Sequence, residues 1–271
     1  MNKKLKNRKI KIILYGGIIC IASMLSTVKI DTIYANHNDI AITENLLINT
    51  TLTEIVYNAS KEITKGPSKS SGKVAYITID DGPSKYTEEI IKILNKYDAK
   101  ATFFMIDRNM RNYPDQVKRV IENGNSAGFH SVSHDIHELY KNKYSAKEEF
   151  DINSKTFFNI TGENSKIVRL PYGSKPYTPR TSYEALVEAG YKMWDWSIDT
   201  QDWKATSNEI VENVVNYSRN QNDIVVLMHE KRQTVDALES VLKYLKEEEY
   251  EFLPIGQNQE PKNYWIGNLN E

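Results

Sequence analysis

The chain has 271 residues, 40% hydrophobic, 10% aromatic and 26% charged, a mix that can bury a sizeable core and that excludes a disordered chain, a coiled coil and a multi-span membrane protein. The formal net charge of -1 is unevenly spread: residues 1–35 hold seven of the 35 basic and one of the 36 acidic side chains, which leaves the rest near -7. A segment that acidic has no generic attraction for nucleic acid or an anionic membrane, so nucleic acid is excluded as a partner and any polyanion must be gripped by specific contacts.

At the amino end, Lys3, Lys4, Lys6, Arg8, Lys9 and Lys11 precede an uncharged, largely apolar run over residues 12–28, and Ala35 offers a small residue for cleavage. This is the pattern of an export signal in residues 1–35. The run is 17 residues long, the lower limit for spanning a bilayer, so an uncleaved membrane anchor with the basic end inside is the alternative. Either way the remainder is expected outside the cytoplasmic membrane, secreted, in the wall or tethered. Cys20, within the run, is the only cysteine, which rules out disulfides, thiolate metal ligands and a cysteine nucleophile; bulky Ile19 before it argues against lipidation. Residues 36–72, frequent in Asn, Thr and Ser and closing on Gly66-Pro67-Ser68-Lys69-Ser70-Ser71-Gly72, read as a tether in which His37 is inert.

From Lys73 onward, short apolar runs alternate with amphipathic stretches of helical period. Strands are predicted at 74–79, 101–106, 126–129, 166–170, 192–198, 223–228 and 252–255, with helices near 88–97, 114–123, 146–159, 182–189, 207–219 and 234–247. Ser145 with Glu148, Thr181 with Glu184 and Thr206 with Glu209 have capping-box spacing. Pro114 suits a first helical turn, and Gly124 and Gly190 suit helix stops. The pattern predicts one α/β domain over 73–257, a single distorted (β/α) barrel of about seven parallel strands, followed by a tail over 258–271.

The reactive side chains fall at carboxyl ends of these strands: Asp80 and Asp81 after the first, His130 after the third, Arg169 ending the fourth, Asp199 and Asp202 after the fifth, His229 after the sixth. In parallel α/β folds those ends converge on one face, so distant residues can meet around one substrate. Read alone, Asp80-Asp81-Gly82-Pro83 is also an ordinary polar turn. At a strand end, however, adjacent carboxylates point in different directions, and one can bind a metal while the other stays free as a base. His130 and His134 are four apart, on one face if the segment is helical. His137 is a solvated neighbour or a support for them. One carboxylate and two imidazoles suit catalytic zinc with open positions for water and substrate. The same set serves non-haem iron oxygenases, although those usually use an antiparallel barrel.

At these residues the chain resembles the polysaccharide deacetylases, the NodB-homology domains of carbohydrate esterase family 4. Five motifs occur in family order: Thr78-Ile79-Asp80-Asp81-Gly82, His130-Ser131-Val132-Ser133-His134, Arg169-Leu170-Pro171-Tyr172, Asp199-Thr200-Gln201-Asp202-Trp203 and Leu227-Met228-His229. Ile79 stands where the family commonly has Phe, and Asp107 stands near a usual Gly. The resemblance implies that Asp81, His130 and His134 hold a divalent metal, most simply zinc with cobalt as the alternative, and that Asp80 is the general base. It implies that the Tyr172 amide helps hold the oxyanion and that His229 protonates the leaving amine. Arg169 would pair with Asp80 and keep it ionised, and Asp202 would orient His229. Trp203 and Leu227 would wall the acetyl methyl group, while Tyr172, Trp194 or Trp196 would stack on sugars, the last two being equally suited to fill a core. Asp199 either supports Arg169 or caps its strand.

The leading expectation is thus an exported, metal-dependent N-deacetylase, monomeric, acting on N-acetylglucosamine of a surface polymer, with peptidoglycan ahead of chitin-like or exopolysaccharide substrates. An iron oxygenase and a carbohydrate-binding domain with a decayed site are the other two readings. The intact pairing of a base and an acid argues against decay.

Overall fold

Alternating β-branched, small and aromatic residues make Val74–Gly82 a strand, β1, near the middle of a parallel sheet and buried on both faces. The computed structural model describes residues 72–269. The predicted export signal, the apolar run with Cys20 and the tether through residue 71 lie outside the described residues. Around β1 stand β2 (Ala101–Met105), β3 (Ser126–Phe129), β4 (Ile167–Val168), β5 (Lys192–Met193), β6 (Ile198–Asp199) and β7 (Asp223–His229), in the spatial order β5-β4-β3-β2-β1-β7-β6. Short β8 (Glu251–Phe252) pairs with Val74 and Ala75, just before β2 joins β1 at Ile77. All pairings are parallel, and the sheet curls into a half-barrel.

Eight helices connect and cover these strands among the described residues: α1 (Thr87–Lys96), α2 (Asp107–Asn112), α3 (Pro114–Glu122), α4 (Ile136–Leu139), α5 (Ser145–Thr161), α6 (Arg180–Glu188), α7 (Ser207–Tyr217) and α8 (Arg232–Glu247). The short α2 and α4 had no signal in the periodicity, being too brief to show it. The Thr206 and Glu209 capping box closes the start of α7 as predicted. The other two boxes do not form. Ser145 is already inside α5 and its hydroxyl accepts the Asn142 amide upstream, while Glu184 is taken by Arg180 on the surface of α6.

The two-residue period of the strands sorts their side chains. Ala75, Ile77 and Ile79 of β1, Phe103 and Met105 of β2, and Ile224, Val226 and Met228 of β7 join the large core under the helices. Tyr76, Phe104, Ile167, Trp194, Val225 and Ile255 form a smaller inner cluster. On the inner face, β1 reads Tyr76, Thr78, Asp80, so the filling turns from apolar to polar toward the carboxyl end. That gradient places the chemistry at one mouth of the half-barrel.

The predicted strand over 192–198 is two strands. β5 pairs with β4 at one edge of the sheet and β6 with β7 at the other, and residues 194–197 cross between the edges. The carbonyls of Trp194 and Asp195, which a continuous strand would offer to a neighbour, accept hydrogen bonds from the Arg169 guanidinium at 2.9 and 3.0 Å. A buried arginine therefore spans the gap that backbone pairing leaves open.

Candidate active site

Asp80 and Asp81 both reach the mouth because β1 is irregular there. Consecutive strand residues point to opposite faces, but the register against β2 shifts between Asp80 and Gly82, and Asp81 takes a left-handed φ of 67°. This bulge brings the two carboxylates to one imidazole: His130 Nε2 lies 3.7 Å from Asp80 Oδ2 and 3.7 Å from Asp81 Oδ1. The Asn109 amide of α2 holds the Asp81 carbonyl at 2.7 Å. Glu230, just after β7, is buried beneath this turn and accepts from the hydroxyls of Ser84 at 2.5 Å and Thr87 at 2.8 Å. Burial, assisted by the charge of Asp81, pushes the Glu230 carboxyl up to about 6 against those hydroxyls. A Cβ on Gly82 would fall inside the Glu230 carboxylate, so only glycine lets the two approach.

The two histidines meet without a helix. Residues 130–134 form a loop in which Ser131 and His134 have φ of 71° and 53°, so the helical explanation of their spacing is corrected. Helix α5 holds this loop: Glu149 accepts the amides of Val132 and Ser133, and Asn153 donates to the Ser131 carbonyl. His130 Nδ1 donates to the Arg169 carbonyl at 2.8 Å, which leaves Nε2 as the free lone pair facing the carboxylates. Burial outweighs the neighbouring carboxylates and lowers the His130 pKa, favouring the neutral ring.

Asp81, His130 and His134 offer ligand atoms that all lie within 4.8 Å of one another. Asp81 Oδ1 is buried, has no hydrogen-bond partner, and lies 3.7 and 3.5 Å from the Nε2 atoms of His130 and His134. Those separations are too long for hydrogen bonds. Ligands about 2.0–2.1 Å from one tetrahedral ion lie on the order of 3.3 Å apart, so the orphaned oxygen and the two Nε2 atoms fit a shared cation. His137 makes no part of this cluster.

Asp80 is buried and its Oδ1 accepts from Arg169 at 2.9 Å. The same guanidinium contacts Thr78 Oγ1 and lies 4.2 Å from the Phe104 ring centroid. On the next strand, His229 Nδ1 bonds Asp202 Oδ1 at 2.7 Å, and Asp202 also accepts the His229 amide and the Thr234 hydroxyl. Burial pulls His229 down, but the Asp202 hydrogen bond and the charges of Asp80, Asp202 and Asp81 overcome it and leave the imidazole at about 9.

A cavity of about 560 Å³ joins these groups, lined by Asp80, Asp81, His130, His134 and His229 together with Tyr172, Tyr177, Trp196, Asp199, Trp203 and Leu227. Arg169 and Asp202 stand behind it, as supports. Trp196 faces the cavity, whereas Trp194 is buried against Tyr76 in the inner cluster. Asp199 Oδ1 accepts the Gln201 amide. Tyr177, Glu230, Asn109 and Asp195 were not singled out in the sequence. Asp195 is buried, and desolvation raises its pKa despite hydrogen bonds from Ser174 and Tyr264. Asp107, near the family's usual Gly, is a buried partner of Arg111 and Thr156.

The sequence profile of the polysaccharide deacetylase family matches residues 68–194. A peptidoglycan-N-acetylglucosamine deacetylase from Bacillus cereus is 38% identical over 213 residues, covering 74% of this chain and 78% of that protein. The crystal structure of the polysaccharide deacetylase Bc1974 from Bacillus cereus superposes with a TM-score of 0.69 at 40% identity, covering 72% of this chain and 98% of that one. The catalytic domain of a peptidoglycan N-acetylglucosamine deacetylase from Eubacterium rectale gives 0.67 at 26% identity, covering 72% and 94%.

Proposed function

The chain belongs to the polysaccharide deacetylase family, hydrolases of carbon–nitrogen bonds other than peptide bonds, and we propose that it removes acetyl groups from N-acetylglucosamine of peptidoglycan with a divalent cation held by Asp81, His130 and His134. The observation that carries this reading is the buried Asp81 Oδ1, left without a hydrogen bond between the Nε2 atoms of two imidazoles, beside a carboxylate and an imidazole with separate supports. Zinc suits that donor set best, and cobalt shares its geometry. When bound, the cation acidifies a water and polarises the acetamide carbonyl.

The residues divide the remaining work. Asp80 takes a proton from the attacking water, with Arg169 as its countercharge. The Tyr172 amide, which donates to no described residue, stabilises the oxyanion that develops on the carbonyl. His229, protonated through Asp202, delivers its proton to the sugar nitrogen as the carbon–nitrogen bond breaks, giving acetate and a free amine. Trp203 and Tyr172, 59% and 56% exposed at the cavity, are platforms for sugar rings, and Leu227 walls the methyl group. The oxygenase reading is set aside by family membership.

The basic amino end followed by the apolar run over 12–28 supports export, and one chain supplies the full set of site residues, which supports a monomer. Among the described residues no helix is long and apolar enough to cross a membrane. The deciding experiment is mass spectrometry of defined peptidoglycan fragments and chitooligosaccharides after incubation with the zinc-loaded protein. Loss of acetyl mass from N-acetylglucosamine of the peptidoglycan fragments is expected. Reaction of the chitooligosaccharides alone would move the substrate, and reaction of neither would overturn the proposal.

A further inference from the structure

Tyr172 sits in a backbone conformation that a side chain disfavours. Its φ is 65°, in the left-handed region, and it is neither glycine nor asparagine. Such a residue persists only where its surroundings over-determine it, and here its own turn and two distant segments, at residues 195–196 and 264–265, do so. The turn over residues 170–173 is closed by the Gly173 amide donating to the Leu170 carbonyl at 2.9 Å. The next residue, Ser174, is gripped by the buried Asp195, whose carboxylate accepts the Ser174 amide at 2.8 Å and its hydroxyl. The same carboxylate accepts the Tyr264 amide at 2.8 Å, and Trp265 Nε1 donates to the Ser174 carbonyl at 2.8 Å. Gly173, itself at a left-handed φ of 86°, lies close between Trp196 and Tyr264: an added Cβ would meet them at 3.2 and 3.4 Å, a tight fit.

Asp195 therefore has two ends with two duties. Its carbonyl receives Arg169, which carries the countercharge of Asp80, and its carboxylate ties the Tyr172 turn to a segment near the carboxyl terminus. We propose that Asp195, with Tyr264 and Trp265, is a positioning clamp that holds the strained Tyr172 backbone where its free amide meets the developing oxyanion. The clamp touches no reacting atom and acts through the geometry of that turn. The inference rests on the reading of the Tyr172 amide given above.

The test uses the full, metal-loaded chain. Asp195→Asn leaves one acceptor where two are used, Ser174→Ala removes one donor, and Trp265→Phe removes the indole hydrogen bond while keeping a ring. Each should lower kcat for acetate release, Asp195→Asn by roughly ten- to a hundredfold, with KM and metal content changed by less than about twofold. A tetrahedral phosphonate analogue of the acetamide should lose affinity in parallel with kcat/KM, whereas affinity for the deacetylated oligosaccharide should not change. A purely structural role would lower the melting temperature and leave kcat per folded, metal-loaded molecule and the analogue-to-product affinity ratio as in the wild type; that outcome overturns the clamp. If Asp195→Asn fails to fold, the other two variants decide by the same ratio. Wild-type protein that releases no acetate from any N-acetylated glycan would defeat the functional reading itself, whereas active wild type with indifferent variants defeats only the clamp.

Discussion

Asp80 and His229 are register partners on the neighbouring parallel strands β1 and β7. Adjacent strands run about 4.8 Å apart, so the sheet itself sets the span between the proposed proton acceptor and the proposed proton donor. Their supports come from opposite sides, Arg169 from the end of β4 and Asp202 from beyond β6. One ladder position thus carries an anion backed by a cation beside an imidazole backed by an anion.

Chelation should abolish acetate release, and zinc or cobalt should restore it. His130→Ala and His134→Ala should each lower metal content and activity, measured by elemental analysis alongside acetate. Added zinc should also raise the melting temperature of the wild type more than that of either variant. Full activity in a verified metal-free preparation would sink the assignment.

The bulged carboxylates should separate cleanly. Asp80→Asn keeps an oxygen for Arg169 and should retain the metal while losing on the order of 10²–10⁴ in kcat, the usual worth of a general base. Asp81→Asn should lose metal first. Should Asp80→Asn strip the metal and Asp81→Asn keep it, the two roles are exchanged.

For His229 the pH dependence has a definite sign. Its folded value, about 9, is above its ordinary 6.5, so activity through its proton is present at neutral pH and lost as pH rises through the folded value. A cation at Asp81 cancels part of the negative charge that raises it, so the limb of the loaded enzyme lies below 9. Asp202→Asn should shift that alkaline limb of kcat/KM further down and reduce the plateau. A limb that stays in place excludes His229 as the acid.

Gly82 and Glu230 should be energetically coupled. Gly82→Ala drives a methyl into the Glu230 carboxylate and should cost about 1–3 kcal/mol, read by chemical denaturation. The double variant with Glu230→Ala should cost less than the sum of the single ones, because removing the carboxylate opens the space. Strict additivity would show that the close approach is not the source of the cost.

Outside the cell, an acidic domain meeting anionic wall polymers should depend on sugar stacking and the cation. Moderate salt should therefore leave activity on polymeric substrate nearly constant, and Trp203→Ala should raise KM. Fractionation should place the protein outside the cytoplasm. A steep fall with salt, or protein found free in the cytoplasm, counts against the respective claim.

The strand at 74–79 was legible in the sequence, and so were the strand-end positions of Asp80, Asp81, His130, Arg169, Asp202 and His229. Residues 192–198 were not, because their alternation is strand-like and the interruption comes from Arg169, a partner that no local pattern reveals. His130 and His134 were found through a helical spacing, yet left-handed Ser131 and His134 bring them together, so the right pair came with the wrong local geometry. Glu230 and Asp195 lie in no motif and carry no sequence signal of their own. Their burial depends on Ser84, Thr87 and Tyr264, which approach only after folding. Residues 258–271, read as a tail, include the fully buried Asn263, whose amide bonds the Met193 carbonyl.

Arg169 holds the segment that crosses between the two edges of the sheet and backs Asp80, the proposed base, with one side chain. Its planar fork reaches four oxygens that a lysine ammonium could not serve together. Chemistry and architecture are consequently not separable here: a substitution that silenced the base through this position would also unfasten the wall of the half-barrel. An inactive variant meant to retain the fold, for use as a glycan-binding reagent, has to be built at Asp80 or His229 and not at the arginine.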